Sequence, residues 1–130
     1  MSEKRYGHSC LVLKREVIVV GGYYKKSSEI FNVGNERWRP GPDLPTTISN
    51  AQLVKAPPGF KYVAFLIGGY DQSGQSAFSS AIYGLNNDIS KFIHVGNIER
   101  ARGGHVALVL PPNVVEKCEI TMKNSNYQIQ

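Results

Sequence analysis

An internal repeat constrains this chain more than any other feature of its sequence. An apolar run followed by two glycines and a tyrosine occurs at residues 17–23 and again at residues 64–70, an offset of 47 residues. A second pair of similar segments, residues 5–13 and residues 102–110, is separated by 97 residues, close to two such periods. A repeat of this length indicates a protein built from stacked copies of one small structural unit.

Each copy of the repeat reads as four short strands. After each Gly-Gly pair come a polar loop, a short apolar segment (residues 29–33 and 81–85), a turn, and a segment marked by an aromatic residue. Asn and Asp between short apolar runs form turns, because they tolerate a left-handed backbone and bond to their own main chain. Short strands separated by such turns predict an all-β sandwich or propeller, and no segment shows a sustained helical period.

The first copy resembles a kelch repeat. In that family an apolar strand ends in Gly-Gly, and a strand with Glu, any residue and an aromatic residue follows, then a turn and a Trp. The sequence carries these positions in the same order: Gly21, Gly22, Glu29, Phe31 and Trp38. These residues have structural roles in the pattern, because glycine permits close approach of backbones and the aromatic rings fill the space between blades.

The second copy departs from the kelch pattern at two positions. It keeps the Gly-Gly pair and Tyr83, but Ala81 replaces the Glu and Phe92 replaces the Trp. It also carries an insertion at residues 56–60, before its Gly-Gly pair. The resemblance still covers roughly residues 5–110, which is most of the chain.

The resemblance implies kelch-type β-propeller blades: about two four-stranded antiparallel blades plus the first strand of another. Propellers close with about four to eight blades, so 130 residues at this period predict an incomplete propeller. The chain is then part of a larger propeller or is completed by self-association. The predicted division is 1–46 for the first repeat, 47–100 for the second, 101–112 for the start of a third or a closing strand, and 113–130 for a flexible C-terminal tail.

The sequence contains no pattern of residues that indicates catalysis. The three histidines are scattered, the two cysteines form no CxxC pair, and neither a GxSxG nor a phosphate-binding motif occurs. His8 and His105 occupy equivalent positions of the repeat, which favours a structural role, and Cys10 is expected to be buried in its apolar strand. We predict no catalytic residue, no metal site and no cofactor, and we do not expect an enzyme.

The resemblance implies a partner-binding surface at the loops of one propeller face. In peptide-binding kelch domains, an arginine before the first strand and the residues after Gly-Gly recur as contacts. The positions that match are Arg5, Tyr23, Tyr24, Tyr70, Asp71 and Arg102. In the middle copy, Thr47 stands where the arginine would be. A structural reading stays open, in which the tyrosines cap strand ends and the arginines cover blade edges.

The charge distribution bears on the kind of partner. The net charge is +5, and residues 1–40 carry eight Lys or Arg against four Glu. An arginine binds carboxylate or phosphate bidentately and a tyrosine adds a flat surface, so an acidic peptide or phosphopeptide would suit this site. A solvated surface without an acidic partner is the alternative, and nucleic acid is not an expected partner.

The sequence shows no membrane or export signal. Its longest apolar run is far too short to span a bilayer, and its first ten residues lack the apolar run of a signal peptide. A cytoplasmic location with reduced thiols is the expectation, and an extracellular one stays open if the chain is a fragment.

Three classes of function follow from these expectations. The favoured one is a protein-interaction module, which by family analogy would be a substrate adaptor of a ubiquitin ligase or an actin-binding protein. The second is a kelch-fold enzyme of the oxidase or small-molecule lyase type, which for a copper oxidase requires Tyr, His and Cys ligands brought together. The third is a non-functional fragment of a propeller.

Overall fold

The computed structural model describes residues 1–110, so the predicted tail at 113–130 lies outside the described residues. The described residues form β-strands and no helix, as the repeat predicts. The strands are β1 (Ser9–Leu13), β2 (Glu16–Val20), β3 (Ser28–Asn32), β4 (Arg37–Pro40), β5 (Ile48–Ser49), β6 (Gln52–Lys55), β7 (Tyr62–Ile67), β8 (Tyr70–Asp71), β9 (Ala77–Phe78), β10 (Ala81–Asn86) and β11 (Phe92–Asn97).

The two copies of the repeat form two separate four-stranded antiparallel sheets. The first blade contains β1 to β4 in chain order, and the second contains β6, β7, β10 and β11 in the order β11-β10-β7-β6. In both, each strand pairs with the one that precedes it in the sheet through antiparallel hydrogen bonds. The predicted four strands per repeat are confirmed, and the fold is that of an incomplete propeller.

A third, small sheet joins the ends of the two blades. Its order is β5-β8-β9, so the chain leaving the first blade pairs with the loop that follows the second Gly-Gly. Ile48 lies opposite Asp71, and Tyr70 lies opposite Phe78. The repeat pattern did not predict this sheet, because it is formed by loop residues that differ between the two copies.

The hydrophobic core lies between the two blades. Because side chains alternate along a strand, each blade turns one apolar row toward the other. Ile18 and Ile30 from the first blade and Leu66 and Leu85 from the second are each 1% exposed or less. Burial of one such side chain is worth about 1.5–3 kcal/mol, so this interface fixes the blades against each other.

The opposite face of the first blade is covered only in part by the described residues: Val19 and Glu29 on it are each 5% exposed, whereas other positions are open. The register places Val12, Val17, Phe31 and Trp38 in one row across all four strands. Val12 is 60% exposed and Trp38 37% exposed. Cys10 lies on the same face and is exposed, so the prediction that it is buried was wrong. Its strand is apolar on both sides, but only one side meets another blade. We call this surface the uncovered face.

Three turns show that the chain enters successive repeats along the same path. Gly7, Asn50 and Gly104 all have positive φ, at 64°, 51° and 66°. The Asn50 amide donates to the Gly7 carbonyl at 2.7 Å, and the Gly104 amide donates to the Asn50 carbonyl at 2.8 Å. These three residues are therefore structurally equivalent, and residues 102–104 begin a further copy of the same path.

Residues 101–110, where the sequence predicts the start of a third repeat, contain no strand. A first strand needs the second strand of its own blade to take its hydrogen bonds. The described part of the chain ends before such a partner. The division into 1–46, 47–100 and 101–112 stays a prediction.

Candidate partner-binding face

The two Gly-Gly turns bring the loops of both blades to the same end of the fold. Gly21 and Gly68 have φ of 65° and 63°, and the glycine after each also has positive φ. L-residues avoid this left-handed region, so the turns favour glycine. A Cβ on Gly21 would also overlap the carbonyl oxygen of Ile48. The glycines therefore fix where the tyrosines that follow them emerge.

The turns also settle which residue of the middle copy matches the arginines. The Gly22 amide donates to the carbonyl of Ile48 at 2.9 Å, and the equivalent Gly69 amide donates to the carbonyl of Arg102 at 2.8 Å. Ile48 is thus the structural equivalent of Arg102, whereas the sequence comparison aligned Thr47 there. The middle copy has no arginine at this position.

Three tyrosines cluster at the loop end of the first blade. Tyr6 is 70% exposed, Tyr23 42% and Tyr24 67%. The ring centroids of Tyr6 and Tyr23 lie 5.3 Å apart, and those of Tyr23 and Tyr24 lie 5.1 Å apart. The Tyr23 amide donates to the Tyr6 carbonyl at 2.9 Å, which holds the two backbones together. The cluster is a pre-arranged aromatic surface open to solvent.

The second blade contributes a matching aromatic pair. Tyr70 on β8 and Phe78 on β9 lie opposite each other, with ring centroids 5.5 Å apart and an edge-on arrangement. Phe78 is 60% exposed. Its ring packs over the backbone of Gly103, where a Cβ would lie 3.3 Å from Phe78 Cδ1. This contact places residues 102–104, which begin the next repeat, beside the Tyr70–Phe78 pair.

Gln72 links the loops of the two blades. Its side chain is buried, with 8% of the residue exposed. Its Oε1 accepts a hydrogen bond from the Tyr24 amide at 3.3 Å, and its Nε2 donates to Ser49 Oγ at 2.9 Å. A buried amide satisfied on both sides fixes the loops relative to each other. We call the surface formed by Tyr6, Tyr23, Tyr24, Tyr70 and Phe78 the aromatic face.

Sequence reasoning predicted Tyr23, Tyr24 and Tyr70 at this site and missed Tyr6, Gln72 and Phe78. Tyr6 stands inside the Arg-x-Gly segment that drew attention to Arg5, so its position was available. Gln72 and Phe78 lie in a loop without a counterpart of equal length in the first copy, and the repeat gave no signal for them.

Arg5, a predicted contact residue, has no exposed side-chain surface at all. Its guanidinium donates to Glu29 Oε2 at 3.3 Å and to the carbonyl oxygens of Gly21 and Ser27 at 2.9 Å. Glu3 forms a further ion pair with it at 3.0 Å. Arg5 therefore holds the first Gly-Gly turn in place beneath the aromatic face and has no side-chain surface with which to contact a partner.

The electrostatics of Glu29 reflect the same network. Burial alone would raise the pKa of this carboxyl group, which is 5% exposed. Hydrogen bonds from the Ser2 hydroxyl, the Ser2 and Glu3 amides, and Arg5 outweigh burial and lower its pKa to about 2. The group is ionised near neutral pH, so the buried pair carries both charges.

Arg102 and Asp71, the two remaining predicted contact residues, differ in how free their side chains are to contact a partner. Arg102 is exposed, and its one side-chain hydrogen bond within residues 1–110 is from Nε to the carbonyl of Arg100 at 3.3 Å. Asp71 is half-buried, and its Oδ1 accepts from the Ser73 amide at 2.8 Å and the Ser73 hydroxyl at 2.7 Å. Burial would raise the pKa of Asp71, but these bonds lower it. Asp71 shapes its loop, whereas Arg102 is available at the surface.

The fold and this surface define a class of protein: antiparallel four-stranded blades of a propeller, with glycine turns presenting loops at one end. The sequence model of the kelch-motif family matches residues 4–45, which span the first blade and the chain leading out of it. The first blade therefore matches the kelch motif, over about a third of the chain. No curated protein matches the chain. Kelch repeats generally mediate protein binding, and a kelch-type interaction module is the class of function that the match indicates.

Among residues 1–110, no three His, Cys, Asp or Glu side chains come together as potential metal ligands. The same part of the chain has no helix with the length and apolar character needed to cross a bilayer.

Proposed function

We propose that the chain binds a protein or peptide partner through the aromatic face, with Arg102 at its edge. The observation that carries this proposal is the set of exposed aromatic rings contributed by loops of two different blades. The buried Gln72 joins these loops, so the rings belong to one surface. A surface supported by two packed blades is rigid before the partner arrives, which reduces the entropy lost on binding.

Exposed aromatic rings favour protein binding on physical grounds. Tyrosine and phenylalanine bury large areas at low conformational cost, and a tyrosine hydroxyl adds a directional hydrogen bond. Isolated exposed apolar residues need no explanation, but contiguous ones mark interaction sites. Tyr6, Tyr23 and Tyr24 are contiguous here, with neighbouring centroids 5.3 and 5.1 Å apart.

We propose that the partner segment is acidic. The side chain of Arg102 is open to a carboxylate or phosphate. Lys25 and Lys26 adjoin the tyrosines but are already paired, with Glu3 at 3.5 Å and with the exposed Asp43 at 3.6 Å. Such surface pairs are worth less than about 1 kcal/mol, so a carboxylate of the partner can replace either one at little cost.

Selection from a displayed library of random peptides tests the proposal. Peptides enriched on the immobilised chain should contain Asp or Glu, and Tyr24→Ser and Phe78→Ser should each weaken their binding about tenfold or more, as at interface hot spots. Phe60→Ser is the matched control, because Phe60 is 55% exposed but lies outside the aromatic face. Equal weakening by Phe60→Ser, or enrichment of peptides without acidic residues, would contradict the proposal.

The finer role of substrate adaptor for a ubiquitin ligase, in the cytoplasm, is a proposal that rests on analogy with other kelch proteins. The aromatic face is compatible with it, because an adaptor recognises a short exposed segment of its substrate.

A separate proposal concerns the uncovered face, which we propose is covered by a second copy of the chain. The row from Val12 to Trp38 is apolar, as is the face of a blade that packs on a neighbouring blade. Within it, Phe31 and Trp38 pack with ring centroids 5.1 Å apart. Light scattering on the purified chain should show a particle of two or more chains, and Val12→Lys should return it to a monomer. A wild-type monomer at all concentrations would contradict self-association. Tyr24→Ser, which changes another surface, is the control.

A further inference from the structure

A cleft opens between the blades at the end opposite the aromatic face. Strands β1, β6 and β10 all run away from that face, so the turns that follow them lie together at the far end. The turn after β1 is residues 14–15, and the loop after β6 is residues 56–61, which includes the predicted insertion. The cleft between them has a volume of about 580 Å³. Small-molecule sites in proteins typically span about 300–1,000 Å³.

The interior of the cleft is apolar. Leu13 and Ala56 are buried at its base, where they are 7% and 8% exposed. Phe60 stands at its mouth and is 55% exposed. The apolar residues that line it include Leu13, Ala56, Pro57, Phe60, Val63 and Ile89. A lining of this kind favours a ligand with an apolar body.

The rim of the cleft is positively charged. Lys14, Arg15 and Lys55 line it and are all exposed. The one acidic lining residue, Glu16, already has both carboxylate oxygens 3.1 Å from Nη2 of Arg39. Within residues 1–110, no carboxylate forms an ion pair with any of the three cations. Three cations around an apolar interior favour a ligand with an anionic head group.

Two residues on the cleft have strained backbones. Lys14 and Ile89 both have φ of 58°, in the left-handed region. A β-branched residue is a genuine outlier there, because its Cβ comes too close to the following carbonyl oxygen. Asn or Gly would relieve the strain at residue 89, but neither would present the isoleucine side chain that lines the cleft. Strain of this kind gathers at ligand sites.

We propose that this cleft binds a small amphipathic carboxylate, with its apolar body between the blades and its carboxylate at Lys14, Arg15 and Lys55. The site shares no residue with the aromatic face, so it does not depend on the proposed partner. The second-blade insertion supplies one wall, which makes the cleft a feature of this chain and not of the repeat itself.

Amide chemical shifts of the isotope-labelled chain test the proposal with two probes that have the same apolar body. Decanoate, kept below its micelle concentration, should change the amide chemical shifts of Lys14, Arg15, Lys55 and Ile89 in a saturable way. The amide chemical shifts of Tyr24 and Gln72 should not change. Decyltrimethylammonium should bind at least about tenfold more weakly, because its charge is repelled by the rim. Equal binding of the two probes, or shifts on the uncovered face instead, would overturn the proposal.

Variants separate ligand binding from folding. Arg15→Gln combined with Lys55→Gln should weaken decanoate about three- to tenfold, as expected for two exposed ion pairs. Lys4→Gln combined with Lys26→Gln removes the same charge far from the cleft and should leave binding unchanged. Ile89→Asn should weaken decanoate binding. The midpoint temperature of unfolding should stay unchanged or rise, because the backbone strain at residue 89 is relieved. If the two double variants weaken binding equally, or if an acidic peptide competes for these amides better than decanoate does, the proposed ligand class is wrong.

Discussion

Replacing Arg5 with Met should lower the free energy of unfolding by about 3–5 kcal/mol, the loss expected when one member of a buried ion pair is removed. Arg5 has no exposed side-chain surface and Glu29 is 7% exposed at its side chain, so the carboxylate would be left buried without its partner. The Gly21 carbonyl oxygen would also lose the hydrogen bond from Arg5, and the Ser27 carbonyl oxygen would keep only the one from the Gly21 amide. Urea unfolding followed by circular dichroism measures the change.

A second Arg–Glu pair in the same blade provides the control. Arg39 and Glu16 lie 3.1 Å apart, but the side chain of Arg39 is 51% exposed. Arg39→Met should therefore cost less than about 1 kcal/mol, as exposed pairs do. If the two substitutions had equal effects, the structural role assigned to Arg5 would be wrong.

The same network predicts how stability depends on pH. The pKa of Glu29 falls from an ordinary 4.5 to about 2 in the folded chain. Because the ionised Glu29 carboxylate is favoured in the folded chain, it stabilises the fold by about 3 kcal/mol at pH values above 4.5. This contribution is lost as the pH falls through 2. Glu29→Gln should reduce the acid dependence between these limits by about this amount. An unchanged acid dependence in that variant would assign the effect to other carboxyl groups.

Gly21→Ala should lower the free energy of unfolding by about 2–5 kcal/mol. The left-handed backbone at φ 65° costs a residue with a Cβ roughly 1–2 kcal/mol, and overpacking typically adds about 1–3 kcal/mol. The overpacking arises because the new Cβ would overlap the carbonyl oxygen of Ile48, which is backbone and can move only with the small sheet. The substitution should also disturb the position of Tyr23 on the aromatic face.

Two other glycines separate these contributions. Gly59 has φ of 87° but open space where its Cβ would lie, so Gly59→Ala should cost only the strain, about 1 kcal/mol. Gly74 has neither a positive φ nor a neighbour within 4 Å, and Gly74→Ala should change stability by less than about 0.5 kcal/mol. The same urea unfolding measurement applies. Equal costs at all three positions would mean that the close approach at Gly21 does not exist.

The blades could be predicted from the sequence because the repeat fixes both strand length and register. Gly21 and Gly68 mark the same turn in each copy, and the apolar runs before them form the second strands of the two blades. The same reasoning failed for Arg5. A motif shows that an arginine is present, but whether it faces solvent depends on Glu29, which lies 24 residues further along the chain.

Features made by loops and by neighbouring blades were beyond the sequence pattern. Phe78 joins the aromatic face because β8 and β9 pair in a loop whose length has no counterpart in the first copy. The exposure of Cys10 follows from the absence of a neighbouring blade among the described residues, which an apolar strand does not reveal. The cleft needs the insertion after β6 to meet the turn after β1, a contact between distant segments.

We expect the chain to bind its partner through the aromatic face. Hydrogen–deuterium exchange with a library-selected acidic peptide, compared with the chain alone, tests it most directly because one experiment covers every surface. We expect protection of residues 22–26 and 70–78, with no change at the turn of residues 14–15. Protection confined to the uncovered face, around residues 10–17 and 31–38, would contradict it.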